Sequence, residues 1–166
     1  AIVAGLKVSA ARAMKIAEFL KPEAVIFELS SSSKRDVLHE LSQSLAKANP
    51  ALGAGRFAEV LLEREKQAST GIAEGLAIPH GRLAGLPTLM ACFGVSRPGI
   101  DFEAADGKRT HLFFALVAPE NAAGLHLRAL SRIVRLFKSA QFRDAILQAT
   151  SQESIYALIA QEDAKA

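Results

Sequence analysis

Apolar residues recur at helical spacing early in the chain, crowd into short continuous runs in its middle, and return to helical spacing at its end. After Ser33, the positions Val37, Leu38, Leu41 and Leu45 follow the period of an amphipathic helix, and Asn49-Pro50 stops it. Ser33 and Asp36 have the spacing of an N-cap and an acidic first-turn residue. A second helix is predicted over GRFAEVLLEREKQAS, with Phe57, Val60, Leu61 and Arg64 along one face and Glu59, Glu63 and Lys66 elsewhere. Gly71 and Gly75 break it. LAIPH is too short for a further helix and predicts a strand ending at the proline. LMACFGVS (89–96) and LFFALVAP (112–119) do not alternate, which predicts strands buried on both faces. Pro98-Gly99 and Asp106-Gly107 predict turns between them. Leu127, Leu130, Val134 and Phe137 predict a helix, with two more over 142–147 and from Ser154 to Ile159. Ser151 and Glu153 sit where the last would start, and the ending EDAKA is expected to fray. Elements interleaved in this way predict an α/β (α+β) fold, a mixed sheet of about four or five strands with helices on both faces.

A length of 166 residues fits one domain with a single core. There is no internal repeat, low-complexity block or linker. In AIVAGLKVSAARA the basic residues Lys7 and Arg12 follow the apolar head, the reverse of a secretory signal. Residues 1–13 are therefore read as an N-terminal extension, 14–162 as a single domain and 163–166 as a tail. No uncharged apolar stretch reaches the ~18 residues of a membrane helix, so no membrane insertion is expected. The net charge of +3 is spread over scattered Lys and Arg, and the chain has no Trp and one Tyr. A nucleic-acid surface is not expected from that pattern. Cys92, the only cysteine, lies in an apolar run and reads as an inert buried thiol. The lack of a possible intramolecular disulfide suits a reducing cytoplasm.

The chemistry concentrates in TGIAEGLAIPHGRL, from Thr70 to Leu83. A neutral imidazole is a good nucleophile near neutral pH. Pro79 stiffens the backbone behind His80, and Gly81 leaves room ahead of it for a doubly charged group. Backbone N–H groups, a hydroxyl and a cation would serve such a group, and Thr70, Gly71, Gly81 and Arg64 could supply them. Arg64 suits the task better than a lysine because its planar fork grips two oxygens. His126 follows PENAAG at the first turn of a predicted helix, where an anion is favoured. Folded against His80, it could donate to phosphoryl oxygens or orient the first ring. Spacing alone favours a structural role for both histidines. His39 reads as solvent-facing and His111 as structural.

LEREKQASTGIAEGLAIPHGRL resembles the signature of fructose/mannitol-type enzyme IIA domains of the bacterial phosphoenolpyruvate-dependent phosphotransferase system, and its wording is closest to the nitrogen-regulatory (IIA-Ntr) branch. HLFFALVAPENAAGLHLRALSRI resembles the family's second block, and KIAEFLKPEAVIFELSSSSKRDVLHELSQSLA its opening. The resemblance covers about residues 14–162. It implies that His80 accepts phosphate from an HPr-like phosphocarrier protein, that Arg64 is the active-site arginine, and that His126 is the second active-site histidine. Thr70 and Gly71 match the signature's TG pair.

The implied reaction is in-line phosphoryl transfer between imidazole nitrogens, governed by positioning and charge stabilisation. A nearby Arg64 would lower the ring's pKa and hold the incoming oxygens. No cofactor is expected, and no Asp-rich loop suggests Mg²⁺. The implied role is a phosphohistidine carrier, a phosphotransferase component that regulates target proteins by its phosphorylation state. Alternatives are a sugar-specific IIA that passes phosphate to a IIB protein, or a non-phosphorylated binding module. A zinc hydrolase built on His80 and His126 lacks an obvious third ligand. Leu76, Leu83 and Leu86 are either a docking rim for the carrier or core residues.

Overall fold

The computed structural model describes residues 14–165, and the extension read over residues 1–13 lies outside them. Two short 3-10 turns, Ile16–Glu18 and Pro22–Ala24, lead into β1 (Val25–Ile26). Helix α1 (Lys34–Ala48) starts where Ser33 accepts the N–H of Asp36 at 3.2 Å. Helix α2 (Gly53–Gln67) follows, then strands β2 (Leu76–Ala77), β3 (His80–Leu83), β4 (Met90–Ile100) and β5 (Thr110–Pro119). Helices α3 (Ala123–Leu136), α4 (Ala140–Gln148) and α5 (Gln152–Lys165) complete the chain.

The fold is α/β, and its five-stranded sheet is mixed, as the sequence pattern predicts. β4 and β5 pair antiparallel at the centre, while β1 joins β4 in parallel. β2 and β3 both run parallel to β5, against successive parts of it. Adjacent residues of β4 face opposite layers. The Cys92 thiol donates to the Leu41 carbonyl of α1 at 3.4 Å. Phe93 points the other way and stacks on Phe137, just past α3, with ring centroids 5.6 Å apart. Both strands bury both faces, which accounts for apolar runs without alternation. Cys92 is fully buried, and burial pushes its thiol up to about 12.

Three local expectations need correction. Pro98-Gly99 is not a turn, because β4 continues through it with a register shift between Val95 and Ile100. β1 pairs with β4 only at Phe93 and Gly94, so the missing N–H of Pro98 has no ladder partner to lose. Gly99 takes φ +83, and a Cβ there would lie 2.7 Å from the His111 ring. Asp106-Gly107 does form the loop tip. Second, the buried stripe of α3 is His126, Ala129, Ile133 and Leu136. Leu127 is 66% exposed and Val134 37%. Of the predicted set, Phe137 is buried and Leu130 packs against the core.

Third, the described part of the ending, through Lys165, is helical rather than frayed. Asp163 is buried, accepts the Ile16 N–H at 2.8 Å and pairs with Arg132 Nε at 2.6 Å. One acidic side chain thus ties α5 to α3 and to the start of the described chain. Asp163→Ala would leave the largely buried Arg132 unpaired, and a loss of about 3 kcal/mol is expected in chemical denaturation.

Candidate functional site

The site stands at the β3 edge of the sheet. Pro79 has no N–H to give a ladder, so pairing stops at Ala77 and resumes at His80. His80 therefore opens a strand rather than lying where one ends. Its neighbours are held on both sides: Ile78 N–H donates to the Thr70 carbonyl at 3.0 Å, and Leu116 N–H to the Pro79 carbonyl at 2.9 Å. Gly81 faces α2, where an added Cβ would lie 2.3 Å from Val60 Cγ1. Strand alternation then turns His80 and Arg82 toward α3.

On that side the His126 ring meets the His80 ring edge-on, with centroids 5.3 Å apart and planes at 71°. An open cleft of about 1090 Å³ runs between α2 and α3, lined by His80, His126, Arg64, Gly81, Arg82 and Glu120 among others. Arg64 lies in the last turn of α2, and its Nη1 donates to the Ala68 carbonyl at 2.9 Å. That bond holds the guanidinium at the mouth of the cleft. Among the described residues, no group of three or more His, Cys, Asp or Glu is placed to hold a metal ion. Nor is any described helix long and apolar enough to cross a membrane.

His80 Nδ1 lies 2.7 Å from the Ile78 carbonyl. A carbonyl only accepts, so Nδ1 carries the proton and Nε2 keeps the lone pair. Burial lowers the His80 pKa first; the Ile78 carbonyl opposes that, Arg64 adds to it, and Glu65 opposes it. His126 is lowered to about 4 by burial, then by His80 and Arg82. It is 9% exposed, and its buried Nε2 has no hydrogen-bond partner. The resulting pair is uncharged at neutral pH and faces two guanidinium groups.

These depressed pKa values have a sign for stability. An unfolded chain protonates both rings below about 6.5, whereas the folded rings resist. The stability held by the neutral pair is complete above that value and declines as pH falls toward about 4, where His126 titrates. A His126→Gln variant is expected to lose less stability than the parent over that interval, as read by denaturation at stepped pH.

The structure brings His80, His126, Arg64 and Gly81 together. Thr70 and Gly71 lie behind the strand, outside the lining of the cleft. Thr70 is buried and its hydroxyl donates to Glu65, while Gly71 bridges Ala77. Leu76, Leu83 and Leu86 are each 5% exposed and belong to the core, and of the three only Leu83 also lines the cleft. His39 is half-buried rather than solvent-facing, because α2 packs alongside α1 and covers part of it. His111 donates from Nδ1 to the Ser96 carbonyl at 3.0 Å and is structural. Sequence reading missed Arg82, although its place two residues after His80 on a strand puts both on one face. It also missed Glu65, since a carboxylate beside Arg64 on a helix looks like ordinary surface charge.

Over residues 18–162 the chain matches the family model described as phosphoenolpyruvate-dependent sugar phosphotransferase system, EIIA 2, and it belongs to that family. It is 39% identical over 150 residues to the nitrogen regulatory protein of Bradyrhizobium diazoefficiens, spanning 89% of this chain and 95% of that protein. It is 38% identical over 150 residues to the fructose-specific EIIABC component of Bacillus subtilis, spanning 90% of this chain but only 24% of that longer protein. The crystal structure of nitrogen regulatory protein IIA-Ntr from Neisseria meningitidis aligns with a TM-score of 0.81 at 34% identity, covering 87% of this chain and 98% of that one.

Proposed function

We propose that this chain is a phosphohistidine carrier that takes a phosphoryl group onto Nε2 of His80 from an HPr-like phosphocarrier protein. The observation that carries this reading is the Nδ1 bond to the Ile78 carbonyl, which leaves Nε2 unprotonated in a cleft shared with Arg64 and His126. In the transfer, the P–N bond to the donor imidazole breaks as the bond to His80 Nε2 forms, and the donor nitrogen keeps the electron pair. The chain's residues position and stabilise; no cofactor enters. The Arg64 fork holds two equatorial oxygens. His126, neutral because its pKa is lowered to about 4, would hold its one proton on Nε2 and donate it to a third, giving that atom the partner it lacks. The Gly81 backbone admits the group close to the strand.

The match along nearly the full length of a nitrogen regulatory protein supports a regulatory role, in which target proteins distinguish the two phosphorylation states. The reaction belongs in the cytoplasm, where phosphoenolpyruvate and a carrier meet. The likeness to a fructose-specific component supports a second reading, in which phosphate passes on to a IIB protein. Incubation with phosphoenolpyruvate, the system's first enzyme and its carrier is expected to add one acid-labile phosphate. Adding a fructose- or mannitol-type IIB protein then separates the two: retention of the label fits regulation, and rapid loss to IIB fits sugar transfer. No label on the chain at all overturns both.

A further inference from the structure

One buried carboxylate in the neighbourhood takes no part in the transfer as described. The side chain of Glu65 is 4% exposed and pairs with Lys34 Nζ at 3.0 Å. It sits one residue after Arg64 on α2, so it points inward while Arg64 reaches the cleft. Two donors of a single residue converge on it: the Thr70 N–H at 3.0 Å and the Thr70 hydroxyl. The Thr70 carbonyl in turn accepts the Ile78 N–H at 3.0 Å, and the Ile78 carbonyl accepts His80 Nδ1–H at 2.7 Å. A continuous line of hydrogen bonds therefore runs from Lys34 to the reacting ring.

We infer that Glu65 is a positioning residue which, through Thr70 and Ile78, aims the carbonyl that keeps the His80 proton on Nδ1 and so presents Nε2 to the cleft. The value of the inference for catalysis rests on the carrier reading; the tautomer it sets does not. The loop from Ala68 to Gly75 has few ladder bonds of its own, and Gly71 contributes one bridge, to Ala77. Holding Thr70 at both N–H and hydroxyl fixes that loop's position. The loop fixes Ile78, which cannot be held through a Pro79 N–H because there is none. A carboxylate serving stability alone would need its ion pair, but not this doubled grip on the residue that supports the ring's own acceptor.

The test is long-range proton–nitrogen correlation of the imidazole rings in the unphosphorylated chain, without any carrier. The parent is expected to show His80 protonated at Nδ1. Glu65→Gln keeps the shape but reverses one donor–acceptor match, and is expected to move His80 to a mixture of tautomers. Its phosphoryl-transfer rate is expected to fall by up to about a hundredfold, the cost of a slight misplacement. Thr70→Val, which removes only the hydroxyl, is expected to shift the same signals in the same direction. A folded Glu65→Gln with His80 still wholly Nδ1-protonated overturns the inference. If Glu65→Gln does not fold, Thr70→Val decides by the same signal, and an unshifted ring overturns it. A parent chain that shows the tautomer but accepts no phosphate defeats the carrier reading alone.

Discussion

His80→Gln is expected to abolish acid-labile phosphorylation. An amide offers no nucleophilic nitrogen, so the loss is complete rather than partial. His126 does not replace it. That ring is 9% exposed with its Nε2 buried, whereas His80 is only half-buried, so His80 is the ring an incoming phosphoryl group can reach. Intact-mass measurement after incubation with the donor system reads the result. Equal labelling of parent and variant would place the phosphate elsewhere. The fold should be little altered, because His80 is only half-buried and its one hydrogen bond goes to a neighbouring carbonyl.

Arg64→Ala is expected to slow transfer by about a hundredfold to a thousandfold, the range for loss of one preorganised charge stabiliser. The guanidinium is already tethered to the Ala68 carbonyl, so little reorganisation is needed when phosphate arrives. Arg64→Lys restores a charge but not the two-pronged grip, and should recover only part of the rate. Removing Arg64 also takes away one influence that lowers the His80 pKa, so the acid limb of the rate profile should move to higher pH. Single-turnover transfer from the phosphorylated carrier, measured across pH, tests both effects. An unchanged rate would remove Arg64 from the site.

Much of this was legible in the residues because it depends on local chemistry. The Ser33 cap, the unbroken apolar runs of β4 and β5, and the Pro-His-Gly sequence each constrain their own backbone. What stayed hidden depends on distant partners. Pro98-Gly99 has turn chemistry, yet it occupies a strand where β4 has no second neighbour. Leu127 and Val134 match a helical period, but the helix buries His126, Ala129, Ile133 and Leu136 instead. EDAKA looks like a loose end until Asp163 finds Arg132, 31 positions away in sequence. Glu65 is similar: nothing local distinguishes it from Glu63, which is exposed on the same helix. Its burial comes from Lys34 on α1 and from the loop that folds back beneath it. The motif singles out His80 and His126 as candidates, but the choice between the two nitrogens of His80 depends on the Ile78 carbonyl.

The most direct measurement is proton–nitrogen correlation with phosphorus coupling on the nitrogen-15-labelled, phosphorylated chain. The expected result is phosphorus bonded to Nε2 of His80 with the proton retained on Nδ1. Phosphorus on Nδ1 of His80, or on the ring of His126, would contradict it.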